Sequence, residues 1–80
     1  MANSFQVQVQ VTPTLLSQAS GIRSVYNGGT ITVYIGFGNL TLTNYIVALA
    51  PGAYFEEPAE TNQTLYAIST AVTPVNVGEW

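Results

Sequence analysis

The sequence lacks cysteine and histidine altogether, and Arg23 is the single cationic residue among its 80 residues. Without cysteine the chain has no disulfide and no thiolate metal site, and without histidine it lacks the ligand of common zinc sites. No histidine or lysine is present to activate a serine or threonine as a nucleophile. We therefore expect a protein that is not an enzyme and binds no cofactor. Association between subunits is then the remaining source of extra stability for so short a chain.

Charge is scarce throughout the chain. Charged residues make up 6% of it, against about 25% in an ordinary soluble domain, and the net charge is −3. A single cation argues against nucleic acid as a partner, because phosphates require lysine and arginine. The longest apolar run, residues 45–50, is far shorter than the ~20 residues of a membrane-spanning helix, so no membrane partner is expected. The first residues lack the features of a signal peptide, which predicts synthesis and folding in a cytoplasm.

Residues 5–11, FQVQVQV, alternate apolar and polar side chains with the period of a β-strand. The polar side consists of Gln6, Gln8 and Gln10, where natural sheets usually carry lysine, other charges or proline to protect exposed edges. We expect this glutamine face to contact another protein. The alternative is that it faces water.

The rest of the chain is predicted to form short strands separated by turns. A single helical turn that begins at Pro13 and ends before Gly21, or an irregular arm, is predicted after the first strand. Two alternating runs flank the NGG of residues 27–29, which predicts a β-hairpin. The LTLT of residues 40–43 predicts a strand, and the PG of residues 51–52 predicts a type II turn. Two final strands are predicted within LYAIS and VNVGEW.

Most of the acids lie in one polar loop, EEPAETNQ. Its Glu56, Glu57 and Glu60 are predicted to be solvated; the alternatives are a Ca²⁺ site and an electrostatic contact with a basic neighbour. Arg23 is predicted either to pair with Glu79 or with this loop inside the fold, or to reach a neighbouring subunit.

Six or seven short strands predict an all-β fold, a small antiparallel β-sandwich or flattened barrel of jelly-roll-like form. Residues 1–21 are predicted to form an extended N-terminal strand and arm. Residues 22–80 are predicted to form the β-sandwich of what is a single domain overall. The pattern leaves open whether the fold is a true jelly roll or a looser sandwich.

The segments RSVYNGGTITVYIGFGN, ALAPGAYFEE and LYAISTAVTPVNVGEW carry a family resemblance. An Asn-Gly turn, a VYIG core, a PG turn, LYAI and a terminal V-x-V-x-E-W follow one another within residues 22–80. In this order they resemble small β-rich structural proteins of tailed bacteriophages. The resemblance implies a virion protein without catalysis, either a capsid decoration (cement) protein or a tail, fibre or head–tail connector subunit. It also implies a place on the capsid surface, synthesis in the host bacterial cytoplasm, and the major capsid protein as partner.

The first hypothesis is therefore a decoration protein that binds the outside of a capsid as a homotrimer at three-fold positions. It would stabilise the shell because it binds the assembled form and not the free subunit. The N-terminal strand would clamp a neighbour by adding to its sheet edge, so that deletion of residues 1–11 abolishes shell binding but leaves the domain folded. The rival hypothesis is a carbohydrate-binding module on a tail or fibre, in which tyrosine, tryptophan and asparagine hold a sugar.

Permanent interfaces are poor in charge and rich in tyrosine and tryptophan, and this chain has that composition. Trp80 is predicted either to cover the sandwich core or to anchor a partner. The predicted interface residues are Phe5, Gln6, Gln8, Gln10, Arg23, Tyr34, Tyr45, Tyr54 and Trp80.

Overall fold

The computed structural model describes residues 3–18, 21–57 and 62–80, and these residues form an all-β structure. None of them belongs to a helix long and apolar enough to cross a membrane. The strands are β1 (Asn3–Val9), β2 (Thr14–Ser17), β3 (Arg23–Tyr26), β4 (Val33–Gly36), β5 (Val47–Leu49), β6 (Tyr54–Glu56), β7 (Leu65–Ser69) and β8 (Thr73–Glu79).

The strands pair in a nested order. β1 pairs with β8, β2 with β7, β3 with β6 and β4 with β5, all antiparallel. Pairing of β3 with β8 and of β4 with β7 completes sheet A, in the order β1-β8-β3-β6, and sheet B, in the order β2-β7-β4-β5. This is the winding of a jelly roll, in which one long hairpin is rolled into two sheets. The predicted all-β sandwich is confirmed, and because both sheets are open the fold is not a closed barrel.

The core lies between the inner faces of the two sheets. Period-two alternation places Val75 and Val77 of β8 on the inner face and Asn76 between them on the outer face. Val25 of β3 and Ile35 of β4 are likewise fully buried, and each such side chain contributes about 1.5–3 kcal/mol on burial. The other buried members of the core are Val9, Leu16, Val33, Leu49, Leu65 and Ala67.

Strand β1 is an integral part of the sandwich. It pairs with β8 along its whole length, from Asn3 opposite Glu79 to Val9 opposite Thr73. Val9 is fully buried in the core, and Phe5 packs against the core from the same face of the strand. The predicted N-terminal strand is confirmed, but it lies within sheet A and does not extend away from it as an arm.

The helical turn predicted after β1 is wrong, because that part of the chain forms strand β2. The Thr14 hydroxyl accepts the Gln10 N–H at 2.9 Å and donates to the Thr12 carbonyl at 2.9 Å. These two bonds close a tight turn that directs the chain straight into sheet B. Residues 19–20, the end of the predicted turn or arm, lie outside the described residues.

The hairpin predicted between β3 and β4 is wrong, because these strands lie in different sheets. A type I′ turn needs positive φ at both central residues, and neither Asn27 nor Gly28 has it. Asn27 is instead fully buried, and its Nδ2 donates to the carbonyls of Ile31 and Leu49, both at 2.8 Å. Its Oδ1 accepts the Gly29 N–H at 3.0 Å. One buried amide therefore holds the corner where the chain passes from sheet A to sheet B.

The remaining turn and strand predictions have mixed outcomes. Residues 40–43 do not form a strand, since that segment holds only an isolated bridge around a tight turn. The turn at Pro51 is confirmed: the Ala53 N–H donates to the Ala50 carbonyl at 2.9 Å, and Gly52 has the positive φ (+80°) that a type II turn requires. The two predicted final strands are confirmed as β7 and β8.

Candidate functional site

The single cation of the chain is buried in an ion pair. Arg23 donates from Nε to Glu57 Oε1 at 2.8 Å and from Nη2 to Glu57 Oε2 at 3.0 Å. Its Nη1 donates to the Ser17 carbonyl at 3.1 Å, and the residue is 0% exposed. Arg23 therefore pairs with the acidic loop inside the fold, and its place among the interface residues does not fit this burial. Glu57 is buried and not solvated as predicted, because a buried guanidinium needs a counter-ion.

Burial of Arg23 leaves no lysine or arginine side chain on the protein surface. The sheet edges thus lack the lysine that commonly protects such edges. Glu56 is exposed, while Glu60 of the acidic loop lies outside the described residues. Within the part of the chain that the structure describes, no group of three or more acidic, histidine or cysteine side chains could hold a metal ion.

The outer face of sheet A presents uncharged polar and aromatic side chains in rows that cross the strands. One row consists of small residues: Ser4 on β1, Gly78 on β8 and Ser24 on β3 are register partners. Glu56 on β6 ends this row. The neighbouring row, across the same strands in the same order, consists of Gln6, Asn76, Tyr26 and Tyr54.

A groove of about 570 Å³ lies over the row of small residues, and we call it the sheet A groove. Asn76 precedes Gly78 by two residues and Trp80 follows it by two, so these side chains flank the groove on opposite sides. Trp80 and Tyr54 also line it and are 59% and 58% exposed. Trp80 therefore does not cover the sandwich core, which was one of its two predicted roles.

The outer face of sheet B is apolar, and none of its strands contains a charged residue. The Tyr34 ring packs on that of Tyr45, with centroids 4.9 Å apart and planes at 55°. Such a tilted arrangement is favourable for aromatic pairs. We call the surface formed by Leu15, Tyr34, Tyr45, Ile46 and Tyr66 the apolar face of sheet B.

The predicted interface residues fall in different places. Phe5 is half-buried against the core and does not fit the predicted interface role, because the odd-numbered residues of β1 point inward. Gln10 is exposed at the turn after β1, and its side chain donates to the Gln8 carbonyl at 3.3 Å. The others lie on the outer faces: Gln6, Gln8, Tyr54 and Trp80 on sheet A, and Tyr34 and Tyr45 on sheet B.

Sequence reasoning missed several members of these surfaces. The alternation in VNVGEW places Asn76, Gly78 and Trp80 on one side of a strand, and this signal was available. That Tyr26 lies opposite Asn76 depends on the pairing of β3 with β8, which no local pattern predicts. The sequence did not indicate that Ile46 lies on an outer face, because it belongs to a short apolar run with no alternation.

No family model matches the chain, and neither a curated protein nor a solved structure matches it.

Proposed function

We propose that this protein is a structural component of a virus particle, a capsid decoration protein that acts as an oligomer on the assembled shell. The observation that carries the proposal is the apolar face of sheet B. Leu15, Tyr45 and Ile46 on this face are 47%, 44% and 48% exposed in the single chain. Soluble monomers seldom expose contiguous apolar surface of this kind, so we infer that another protein covers it.

A second copy of the chain is the occupant that best fits the apolar face of sheet B. Permanent interfaces are apolar, poor in charge and rich in aromatic side chains, as this face is. A decoration protein is made apart from the shell that it later binds. Its apolar face therefore needs a partner that is available from synthesis onwards, and copies of the same chain meet that need. Closed trimers then match the three-fold positions of a capsid.

The shell would be contacted by a different part of the molecule, the free edge of β1. Gln6 and Gln8 are exposed on this edge strand, and β1 pairs on one side only, with β8. An uncharged edge without lysine or proline is open to strand addition. The clamp hypothesis is thus kept in a modified form, in which β1 remains in sheet A and offers its unpaired edge to the capsid protein.

Two further considerations support a role in the virion. Residues 22–80 resemble small structural proteins of tailed phages, and the jelly roll is common among viral capsid and lectin domains. A fold alone does not decide function, so the main support for the proposal is the apolar face of sheet B and the free edge of β1. The mechanism is mass action: a protein that binds only the assembled shell shifts assembly forward, by about 2.7 kcal/mol per site at 100 times its Kd.

Co-sedimentation with capsid shells tests the proposal. Shells of the phage that encodes the chain, assembled without it, are mixed with wild type, with Gln8→Lys and with Thr70→Lys. Thr70→Lys places the same charge in the exposed turn after β7 and serves as the control. We expect wild type and Thr70→Lys to pellet with shells and not with unassembled capsid protein, and Gln8→Lys to bind at least about tenfold more weakly.

Two results would contradict the proposal. One is wild-type protein that stays in the supernatant with intact shells. The other is equal binding to shells and to unassembled capsid protein, because mass action would then not favour assembly. Labelled protein found only at the tail of the particle would instead support the tail, fibre or connector alternative.

A further inference from the structure

We propose that the sheet A groove binds an uncharged oligosaccharide. The groove lies on the opposite side of the sandwich from the apolar face of sheet B, so the proposed association of copies through that face leaves the groove open. The inference rests on the shape of the groove, on its aromatic side chains and on polar groups that have no partner among the described residues.

The floor of the groove is kept open by small residues. Ser4, Gly78 and Ser24 are neighbours on three adjacent strands. A Cβ at Gly78 would lie 2.6 Å from the Ser24 hydroxyl, so any side chain there would crowd the floor. With adjacent strands about 4.8 Å apart, the groove extends about 14 Å from β1 to β6. That length suits a short chain of sugar rings lying across the strands.

Aromatic side chains border this floor. Trp80 lies on one side of the row of small residues, and Tyr26 and Tyr54 are register partners in the row on the other side. A sugar ring has apolar C–H faces and a rim of hydroxyl groups, so aromatic rings can pack against its faces. Trp and Tyr suit such sites because each combines a large apolar surface with a polar group.

Polar groups that could bind sugar hydroxyls also line the groove. Ser24 is only 7% exposed, yet its hydroxyl forms no hydrogen bond with the described residues. Among the described residues, every side-chain oxygen or nitrogen that is fully enclosed has a hydrogen-bond partner. The Ser24 hydroxyl has no such partner, so it is not enclosed and opens into the groove. The Asn76 amide likewise has no partner among the described residues and provides both donors and an acceptor.

The charges around the groove favour a neutral ligand. No cationic side chain lies on the surface to hold a phosphate, a sulfate or an acidic sugar, and Glu56 at the end of the small-residue row would repel an anion. A peptide is less well suited, because an extended peptide would pair with a free sheet edge, whereas this groove crosses paired strands.

Titration with neutral oligosaccharides tests the inference directly. Maltotriose, cellotriose and chitotriose serve as probes, and an unrelated uncharged peptide of similar size serves as the ligand control. Trp80 is the single tryptophan of the chain, so its fluorescence reports binding at the groove.

Calorimetry on wild type, Tyr54→Ala, Asn76→Ala and Gln8→Ala gives affinities, and circular dichroism checks that each variant is folded. Gln8→Ala is matched to Asn76→Ala, since both remove an exposed amide from the same sheet and Gln8 lies outside the groove.

We expect at least one trisaccharide to change Trp80 fluorescence, with affinity about tenfold weaker in Tyr54→Ala and Asn76→Ala and unchanged in Gln8→Ala. No binding of any of the three probes at millimolar concentration would overturn the inference. So would binding that folded Tyr54→Ala and Asn76→Ala retain in full, or binding of the peptide in place of the sugars. Because shell binding is measured separately, failure here leaves the proposed function standing, and the reverse also holds.

Discussion

Arg23 and Glu57 hold each other through both their side chains and their backbones. The guanidinium donates twice to the carboxylate, at 2.8 and 3.0 Å, and the Arg23 N–H donates to Glu57 Oε1 at 2.9 Å. The Glu57 N–H in turn donates to the Arg23 carbonyl at 2.9 Å. This cluster ties the start of β3 to the residue that follows β6. The chain thus uses its single cation for internal structure.

Glu57→Gln should destabilise the protein strongly. The substitution removes the carboxylate charge that pairs with the buried guanidinium, and removal of one partner of a buried ion pair typically costs about 3–5 kcal/mol of unfolding free energy. Chemical denaturation monitored by Trp80 fluorescence measures the loss. Glu56→Gln, at the exposed neighbouring position, is the control and should change stability by less than about 0.5 kcal/mol. Equal stability of the two variants would contradict an essential ion pair.

Asn27→Asp should also destabilise the fold, although it changes only one atom type. Aspartate can still accept the Gly29 N–H, but it cannot donate to the carbonyls of Ile31 and Leu49. The bond to Leu49 is buried and the bond to Ile31 is partly buried, and the loss of a donor to a buried carbonyl costs about 1–3 kcal/mol. Asn39→Asp, at an exposed site, should have little effect, and thermal unfolding of the two variants side by side makes the comparison.

Alanine substitutions at two glycines distinguish the effect of backbone conformation on stability from the effect of steric crowding. A Cβ at either Gly52 or Gly38 would meet no atom within 4 Å, but only Gly52 has a positive φ. Gly52→Ala should therefore lose about 1–2 kcal/mol of stability, since alanine is strained in that region. Gly38→Ala should be neutral or slightly stabilising, because alanine has less freedom in the unfolded chain. Matching denaturation midpoints would show that the turn does not require this conformation.

Strand β1 can be tested as part of the fold with Val9→Asp and Val11→Asp. Val9 is 0% exposed in the core and Val11 is 58% exposed just beyond the strand. Burial of an unpaired carboxylate at position 9 should leave the domain unfolded or grossly destabilised, because total stability is only about 5–15 kcal/mol. The same change at position 11 should be tolerated. A folded Val9→Asp protein would restore the idea of a separable N-terminal arm.

Local pattern was enough to predict most strands and the fold class. The alternation around Val75 and Val77 indicated a strand with one buried face, and Pro51-Gly52 indicated its turn type, because both signals depend on neighbouring residues only. The predicted hairpin at Asn27 was wrong. An Asn-Gly pair favours a hairpin turn, but here the buried asparagine side chain bonds two distant carbonyls and the chain changes sheets instead.

The candidate surfaces were only partly predictable for the same reason. Tyr54 and Trp80 were named from composition, yet their place beside one groove follows from the order of strands in sheet A. Arg23 was left between an internal and an external partner, because its 34-residue separation from Glu57 gives no local signal. Long-range pairing decides both cases, and a single sequence does not display it.

Sedimentation velocity over a micromolar concentration series tests the central claim most directly: copies of the chain cover the apolar face of sheet B. Wild type should sediment as a trimer, three times the 8.5 kDa chain mass. Ile46→Lys should shift it to monomer by placing a charge in the interface, whereas Val72→Lys, at an exposed aliphatic residue in the turn before β8, should leave the trimer intact. Wild-type protein that remains monomeric at every concentration would contradict the claim.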